Sequence, residues 1–262
     1  MPTRVDGIEG AVELAVGDAL ACARLVDDSV WCFGTSVDAL MTGLGQSTPT
    51  PPTEILALHG LHDFDVGYGS ICGFVDAPPS GIRCAGYSAL GSLGFSSGPH
   101  SPTLVDVAGL DDALDVSGFV GAVCARRSNG QVACWGNQGW RFASDDLSGQ
   151  FSSVQVPGFG KTIDVSAGYR HACAVRSDGS VRCYGMNYEG ELATADPMVS
   201  ATPIVVDGID DAVQVASGAG SACALRANGR VACWGSRFHE PMVEGAPWTS
   251  LEPVTVMFPD DE

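Results

Sequence analysis

The number and spacing of the cysteines point to a chemical role for them in this chain. The sequence contains 10 cysteines, which fall into five local pairs: Cys22 with Cys32, Cys72 with Cys84, Cys124 with Cys134, Cys173 with Cys183, and Cys223 with Cys233. Four of the pairs have a ten-residue offset, and the first cysteines of successive pairs are 49 to 52 residues apart. Paired thiols can form disulfides, bind a metal, exchange redox equivalents, or stay reduced in a core.

Disulfides fit this spacing better than the other chemistries. Zinc sites favour closely spaced pairs such as C-x2-C with histidines nearby, and the 5 histidines do not recur at a fixed offset from the cysteines. We therefore predict one structural disulfide in each of the five pairs, with no metal site and no cofactor. Because such bridges are unusual in a reducing cytosol, we expect an extracellular or cell-envelope location, with the export signal absent from this sequence.

The elements that must position the cysteines are β-hairpins. Between Cys173 and Cys183 the chain reads Ser177, Asp178, Gly179 at its centre, which is typical of a three-residue hairpin loop with glycine in the left-handed position. Counting outward from this loop sets Cys173 directly opposite Cys183 across the two strands. The hairpin register thus predicts a cross-strand disulfide within each repeat.

The repeat around each hairpin predicts the fold. A proline-led apolar run, an acidic turn and a strand that ends in glycine precede each hairpin, and 34 glycines and 15 prolines favour many short strands. We predict an all-β fold, a single β-propeller domain over residues 1–262 with about five four-stranded blades and one cross-strand disulfide per repeat. The predicted units are 1–47, 48–98, 99–150, 151–199 and 200–250, and a closing strand at 251–258 or the opening residues 2–5 would complete the ring.

The charge balance excludes some partners. The chain has 13 lysines and arginines against 31 aspartates and glutamates, a net charge of -18, so it cannot assemble a basic surface for nucleic acid. No stretch approaches the roughly 18 to 20 apolar residues that a bilayer span needs, so we expect no membrane insertion. We further expect a monomer.

The loops between the repeat's glycine and the first hairpin cysteine differ from unit to unit. In a propeller these loops gather at one end of the central channel, so Tyr68, Phe119, Tyr169, Arg170 and His171 are predicted to form a ligand-binding patch. The alternative is that the aromatic residues cap the blade cores and that His171 is a hydrogen-bonded structural residue.

A second variable loop follows the aromatic-glycine pair that comes after each hairpin. Trp140, Asn187 and Tyr188 lie in these loops, and aromatic residues at loop tips suit protein or sugar contacts. We therefore add these three residues to the predicted ligand-binding set.

The repeat resembles that of the regulator of chromosome condensation family. The segments GYRHACAVRSDGSVRCYGMNYEGEL at 168–192 and CALRANGRVACWG at 223–235 carry the glycine, the alternating apolar positions and the aromatic-glycine pair of that repeat. The resemblance implies a β-propeller of four-stranded blades, often seven in known members, and the cysteine-paired form looks like the exported bacterial members.

This chain also departs from the family pattern. The asparagine after the aromatic-glycine pair is kept as Asn137 and Asn187 but is Ser236 in the last unit, and only the fourth unit keeps the histidine, His171. The nucleotide-exchange activity of the family on a small GTPase is therefore not carried over to this chain.

Two classes of function remain. The first is a non-catalytic recognition module that presents one propeller face to a protein or glycan ligand, and a structural surface-layer or adhesion role as one segment of a longer chain stays open beside both classes. The alternative is a hydrolase or lyase whose site lies in the channel near His171, with Arg170 and Asp18 as its other candidate catalytic residues. The absence of a nucleophile elbow, an HExxH helix and a phosphate loop favours the first class.

Overall fold

The computed structural model describes residues 4–44, 48–88, 91–94, 100–120, 122–136, 150–236 and 249–256. Five antiparallel sheets of four strands each account for nearly all of the regular structure. The described part of the chain also contains one short α-helix, α1 (Val37–Thr42), and one 3-10 helix (Leu56–Leu58), and none of it forms a helix long and apolar enough to cross a membrane. The predicted propeller of five four-stranded blades is confirmed.

Each sheet is one blade, numbered in chain order. Blade 1 contains β1 (Ala11–Val16), β2 (Ala21–Leu25), β3 (Val30–Gly34) and β4 (Thr50–Glu54). Blade 2 contains β5 (His62–Val66), β6 (Ser70–Phe74), β7 (Arg83–Tyr87) and β8 (His100–Asp106). Blade 3 contains β9 (Ala113–Phe119), β10 (Ala122–Arg127), β11 (Val132–Gly136) and β12 (Gln150–Gln155).

Blades 4 and 5 repeat the same order. Blade 4 contains β13 (Thr162–Ala167), β14 (His171–Arg176), β15 (Val181–Met186) and β16 (Val199–Val205). Blade 5 contains β17 (Ala212–Ser217), β18 (Ser221–Arg226), β19 (Val231–Ser236) and β20 (Thr249–Thr255). The first strands of consecutive blades contact one another, which places them around the central channel.

The predicted hairpin register is confirmed. Cys173 lies opposite Cys183 in blade 4, and the first and second cysteines of the other four blades face each other in the same way. The facing pairs of those blades are Cys22 with Cys32, Cys72 with Cys84, Cys124 with Cys134, and Cys223 with Cys233.

The five predicted disulfides are also present. Each of the facing pairs is bonded across 4.0 to 4.1 Å between Cα atoms. The bridge between Cys72 and Cys84 forms in the same register as the others, although its cysteines are 12 residues apart, because the two extra residues lie in the hairpin loop. The Cys22–Cys32 bridge likewise forms although Asp28, with a φ of 64°, occupies the left-handed loop position that glycine takes in blades 3 to 5. Each blade is therefore cross-linked between its second and third strands.

The blades are offset by one strand from the units read in the sequence. The proline-led strand of each unit pairs with the hairpin of the preceding unit, as Ile204 of β16 pairs with Cys183. For the same reason β20 pairs with β19, with Val254 opposite Cys233, and completes blade 5. The closing strand predicted at 251–258 therefore includes the fourth strand of blade 5, while closure of the ring stays a prediction.

The hydrophobic cores lie between blades. The aromatic residue after the second cysteine of one blade packs against the disulfide of the blade before it, so Trp135, Tyr184 and Trp234 are all fully buried. The Tyr184 hydroxyl donates to Sγ of Cys134 at 3.2 Å, and the Trp234 indole N–H donates to the Glu191 carbonyl at 2.9 Å. Consecutive blades are thus held together by the residues that each repeat supplies at the same positions.

Candidate functional site

The loops that follow the first strands meet at one end of the channel. A cavity of 360 Å³ at this end is lined by Asp18, Tyr68, Phe119 with Val120, Tyr169 and Ala219, so every blade contributes to it. We call it the channel mouth. It brings four of the predicted site residues together, namely Asp18, Tyr68, Phe119 and Tyr169, while ligand contact by these residues remains a prediction.

The aromatic side chains at the mouth are partly exposed. Tyr68 keeps 41% and Tyr169 38% of its surface accessible, and Phe119 is half-buried. Val120 beside Phe119 has a φ of 36°, in the left-handed region that β-branched residues avoid. Such strain is concentrated at functional sites in proteins, because surrounding contacts must hold it in place.

Arg170 lies beside the mouth rather than in it. Its guanidinium carbon is 4.7 Å from the centre of the Tyr169 ring, and its Nη2 donates to the Tyr169 hydroxyl at 3.4 Å. The other terminal nitrogen approaches Sδ of Met186 at 3.8 Å. Arg170 is therefore an exposed cation that stacks on Tyr169 and fixes the orientation of that ring.

His171 does not reach the mouth. It is the first residue of β14, its side chain is fully buried, and a side chain at Gly168 would collide with its ring. Burial lowers the pKa of His171 to about 4, while a backbone contact with Ser221 acts in the opposite direction. This burial between blades 4 and 5 argues against the predicted roles of His171 in ligand contact or catalysis, which stay predictions.

Asn187 is also structural. Its Nδ2 donates to the carbonyls of Thr194 and Pro197 at 2.8 and 3.1 Å, and its Oδ1 accepts from the Leu192 N–H at 2.9 Å. The side chain is buried and holds the loop between β15 and β16 together. These contacts argue against the predicted ligand contact of Asn187, which stays a prediction, whereas its neighbour Tyr188 is exposed on the same loop. Trp140, predicted as a ligand contact, lies outside the described residues.

The repeat also places polar residues along the channel wall, which the sequence reasoning missed. The first strands of blades 2 to 5 line a second cavity of 310 Å³, with Asp65, Asp115, Asp164, Ser117 and Ser166 among its lining residues. Aligning the units on their cysteines would have shown that Asp63, Asp115 and Asp164 share one position, which is Glu13 in blade 1 and Gln214 in blade 5.

Side chains along this wall hydrogen-bond each blade to the next. Oδ2 of Asp65 accepts from the Gly118 N–H at 2.9 Å and from the Ser117 hydroxyl at 3.2 Å. The Ser117 oxygen in turn accepts from the Ala167 N–H at 3.0 Å, and Oδ2 of Asp164 accepts from the Val215 N–H at 2.6 Å. These bonds satisfy backbone groups that face the channel.

The wall carboxyls are harder to ionise than ordinary aspartates. Burial raises the pKa of Asp115 to about 6, with the neighbouring Asp164 charge adding to the shift and Arg126, 3.8 Å away, opposing it. Burial also raises the pKa values of Asp65 and Asp164, against the hydrogen bonds that they accept. The described residues contain no cluster of three or more histidine, cysteine or acidic side chains that could hold a metal ion.

A larger cavity lies away from the channel. It measures 560 Å³ and is lined by Thr194, Arg226 and Leu251, among other residues at the periphery of blades 4 and 5. The Nε of Arg226 donates to Oδ1 of Asp211 at 2.6 Å. This ion pair links β18 to the turn before β17. None of the predicted site residues lines this cavity.

Two segments of the chain match a known family of repeats. Residues 163–191 and 212–237 match the family Regulator of chromosome condensation (RCC1) repeat. Two segments of the chain therefore match RCC1 repeats. The resemblance seen in the sequence is confirmed, and the matched segments cover most of β13 to β15 in blade 4 and β17 to β19 in blade 5. No curated protein matches this chain significantly.

Solved structures with the same fold cover nearly all of this chain. Human WBSCR16 superposes with a TM-score of 0.81 at 16% identity, over 95% of this chain and 67% of that one. A structure of Kap60 bound to yeast RCC1 (Prp20) has a TM-score of 0.75 at 15% identity, over 94% of this chain and 63% of that one. The structure of Prp20p from Saccharomyces cerevisiae has a TM-score of 0.72 at 15% identity, over 94% of this chain and 65% of that one. At these identities the likeness shows a shared fold, and the chain spans about two thirds of the length of those structures.

Proposed function

We propose that this RCC1-repeat chain is a non-catalytic recognition module that binds a protein at the channel mouth. The observation that carries the proposal is the convergence of Tyr68, Phe119 and Tyr169 around one cavity to which all five blades contribute. Large aromatic residues that are rigidly held and partly exposed are the usual anchors of protein interfaces. Arg170, stacked on Tyr169, adds a charged hydrogen-bond donor at the rim.

The fold neighbours support a binding role. Among them, yeast RCC1 is described bound to Kap60, and Prp20p is described with its binding properties to Gsp1p and histones. These partners belong to those proteins, and the low identities carry no partner over to this chain. They support the class of function, which is the presentation of propeller surfaces to other proteins.

The placement of the predicted catalytic residues disfavours the enzyme alternative. Asp18 lines the mouth, Arg170 stacks beside it and His171 is buried between blades. Acid–base catalysis needs its groups within hydrogen-bond reach of one substrate. This placement does not favour one catalytic site built from these three residues, and we therefore propose the recognition module rather than the hydrolase or lyase.

We also propose that the module works outside the reducing cytosol. Five disulfides across the blade hairpins support this location, because cytosolic reductants keep most protein thiols reduced. The acidic charge suits a monomer that stays soluble at the cell surface.

The test compares partner capture by three forms of the oxidised chain. These are the wild type, a mouth variant with Tyr68→Ala and Tyr169→Ala, and a control with Tyr188→Ala, which removes an exposed tyrosine outside the mouth. Surface proteins and a glycan array are probed in parallel. A protein retained by the wild type and the control but lost by the mouth variant supports the proposal, whereas capture of glycans alone, or equal capture by all three forms, contradicts it.

A further inference from the structure

The channel continues from the mouth into the cavity between the first strands. Phe119 lines the mouth, and Ser117, two residues earlier on β9, lines the cavity of 310 Å³, which we call the wall cavity. A strand rises about 3.3 Å per residue and residues two apart share a face, so these side chains lie about 7 Å apart along the channel. A side chain that enters between the aromatic residues of the mouth is therefore directed towards the wall cavity.

Polar side chains line the wall cavity in two rings. Because residues two apart on a strand face the same side, the first strands of blades 2 to 5 contribute to a ring next to the mouth and to a deeper ring. The ring next to the mouth holds Asp65, Ser117 and Ser166, and the deeper ring holds Asp63, Asp115, Asp164 and Gln214. Among the described residues, four carboxyls and no lysine or arginine therefore line this cavity.

The described residues balance only part of this negative charge. Arg126 lies 3.8 Å from Asp115, yet the neighbouring Asp164 charge still adds to the rise that burial causes in the pKa of Asp115. Asp65 and Asp164 form no ion pair within the part of the chain that the structure describes. Asp18 adds an exposed carboxyl at the mouth itself. Carboxyls along a narrow channel focus a negative potential at its opening.

The aromatic side chains of the mouth also suit a cation. The head group of a lysine or arginine is attracted to the face of an aromatic ring. Tyr169 already makes this contact with Arg170, whose guanidinium carbon is 4.7 Å from the ring centre. Arg170 does not line the mouth, and its charge acts on Glu191, where it opposes the rise that burial causes in the pKa of that carboxyl. The rings of Tyr68 and Phe119 remain available to a cation from another molecule.

We infer that the protein segment bound at the mouth is basic, and that one of its lysine or arginine side chains passes between the aromatic residues towards the wall cavity. This inference rests on the proposed function of the mouth and adds the chemistry of its partner. The alkyl stem of such a side chain packs against the rings while its charged end faces the carboxyls. The net charge of -18 attracts a basic partner at long range and repels an acidic one.

A random-peptide phage library tests this chemistry on the oxidised chain. Selection is run in parallel on the wild type and on the mouth variant with Tyr68→Ala and Tyr169→Ala, at a salt concentration of about 0.15 M that screens diffuse attraction. Peptides that only the wild type retains should carry lysine or arginine at one fixed anchor position, enriched about fivefold or more over the library.

Two other results of the selection have different meanings. Peptides that distinguish the wild type from the mouth variant but carry an acidic or uncharged anchor overturn this inference and leave the proposed function standing. If no peptide distinguishes the two forms, the proposed function fails together with this inference.

The charge of the anchor is tested by titrating the most enriched peptide in two forms. The second form carries acetyllysine in place of an anchor lysine, or citrulline in place of an anchor arginine. Each replacement removes the charge and keeps the alkyl stem, so affinity for the wild type should fall about tenfold or more. Equal affinity of the two forms overturns the inference.

The role of the channel carboxyls is tested with a wall variant, Asp115→Asn with Asp164→Asn. Asparagine keeps the shape of each side chain and an oxygen that accepts the bond from the Val215 N–H. The matched control, Asp111→Asn with Asp210→Asn, removes two charges at exposed turns. The wall variant should weaken binding of the basic peptide about fivefold, and the control less than about twofold. Equal weakening in both, or none in the wall variant, overturns the inference.

Discussion

Burial in the channel wall changes the ionisation of Asp115. Asp115 is a carboxylate of the channel wall whose pKa is raised to about 6 by burial and by the charge of Asp164. Its folded-state pKa lies above the unfolded value of 3.8, so the folded protein holds the proton more tightly than the unfolded chain. This carboxyl therefore contributes its full stability below pH 3.8, and the contribution is lost as the pH rises through about 6.

We predict that Asp115→Asn stabilises the protein at neutral pH. The gain in the free energy of unfolding should be about 1 kcal/mol, since the side chain is 35% exposed and solvent screens part of the effect. Denaturant unfolding at about pH 7 and about pH 4 measures it, and the difference should vanish at the lower pH. Asp111→Asn, at an exposed turn, is the control; an equal gain in both variants at neutral pH contradicts the account.

We predict that Asn187→Ala destabilises the fold. Removing the amide leaves the Leu192 N–H and the Thr194 and Pro197 carbonyls without their partner, at a cost of about 2 kcal/mol. Tyr188→Ala, one residue further along the same loop, should change stability by less than about 0.5 kcal/mol because its side chain is exposed. Thermal unfolding of the two variants compares them, and equal effects would show that Asn187 does not hold the loop.

The residue types at the mouth could be predicted from the sequence, but their burial could not. The repeat predicted that Tyr68, Phe119 and Tyr169 would meet, because equivalent loops of a propeller meet at one end. His171 lies only two residues beyond Tyr169, yet it turns into the contact with blade 5. Alternation along a strand sets which way a side chain points, while its solvent exposure depends on the neighbouring blade, which no single repeat encodes.

At the scale of the blade, the hairpin was the best-predicted element. A three-residue loop sets the register, and the register sets the cysteines opposite each other, so local sequence was sufficient. The assignment of the fourth strand was less local. Ile204 pairs with Cys183 of the preceding unit, which is a contact between segments that the sequence repeat places in different units.

We predict that the five disulfides differ in their resistance to reduction. Each joins cysteines that are 10 or 12 residues apart, so their chain-entropy contributions should be similar, about 2 to 3 kcal/mol. Access of the reductant differs, however, because Tyr184 covers Cys124–Cys134 while Cys223 in blade 5 is partly exposed. Reductant titration with alkylation and mass mapping should therefore show that Cys223–Cys233 opens first.

The matched variants for this prediction replace one cysteine pair with alanines. Cys124→Ala with Cys134→Ala should lower the midpoint of thermal unfolding more than Cys223→Ala with Cys233→Ala, because the first pair also supports the core beneath Tyr184. Reduction of Cys124–Cys134 before Cys223–Cys233 would contradict the packing described here.

At the scale of the molecule, the closure of the ring could not be read from the repeats. Counting units gave five blades, and a strand-like sequence near 253–256 suggested a closing strand, but β20 is needed as the fourth strand of blade 5. Closure depends on the angle between neighbouring blades, which is set by side-chain volumes in four separate cores. Leu14 of β1 is 62% exposed whereas Val165, at the equivalent position of β13, is 4% exposed, and only the cores between blades reveal this difference.

The central claim is that the channel mouth binds a protein, and calorimetric titration with the captured partner tests it most directly. We predict that Tyr68→Ala with Tyr169→Ala weakens binding by roughly 30-fold or more, which corresponds to about 2 kcal/mol of lost anchor contacts. The same variant should unfold within about 0.5 kcal/mol of the wild type, since both side chains are partly exposed. Unchanged affinity in this variant, with loss of affinity in Tyr188→Ala, would place the interface elsewhere and contradict the account.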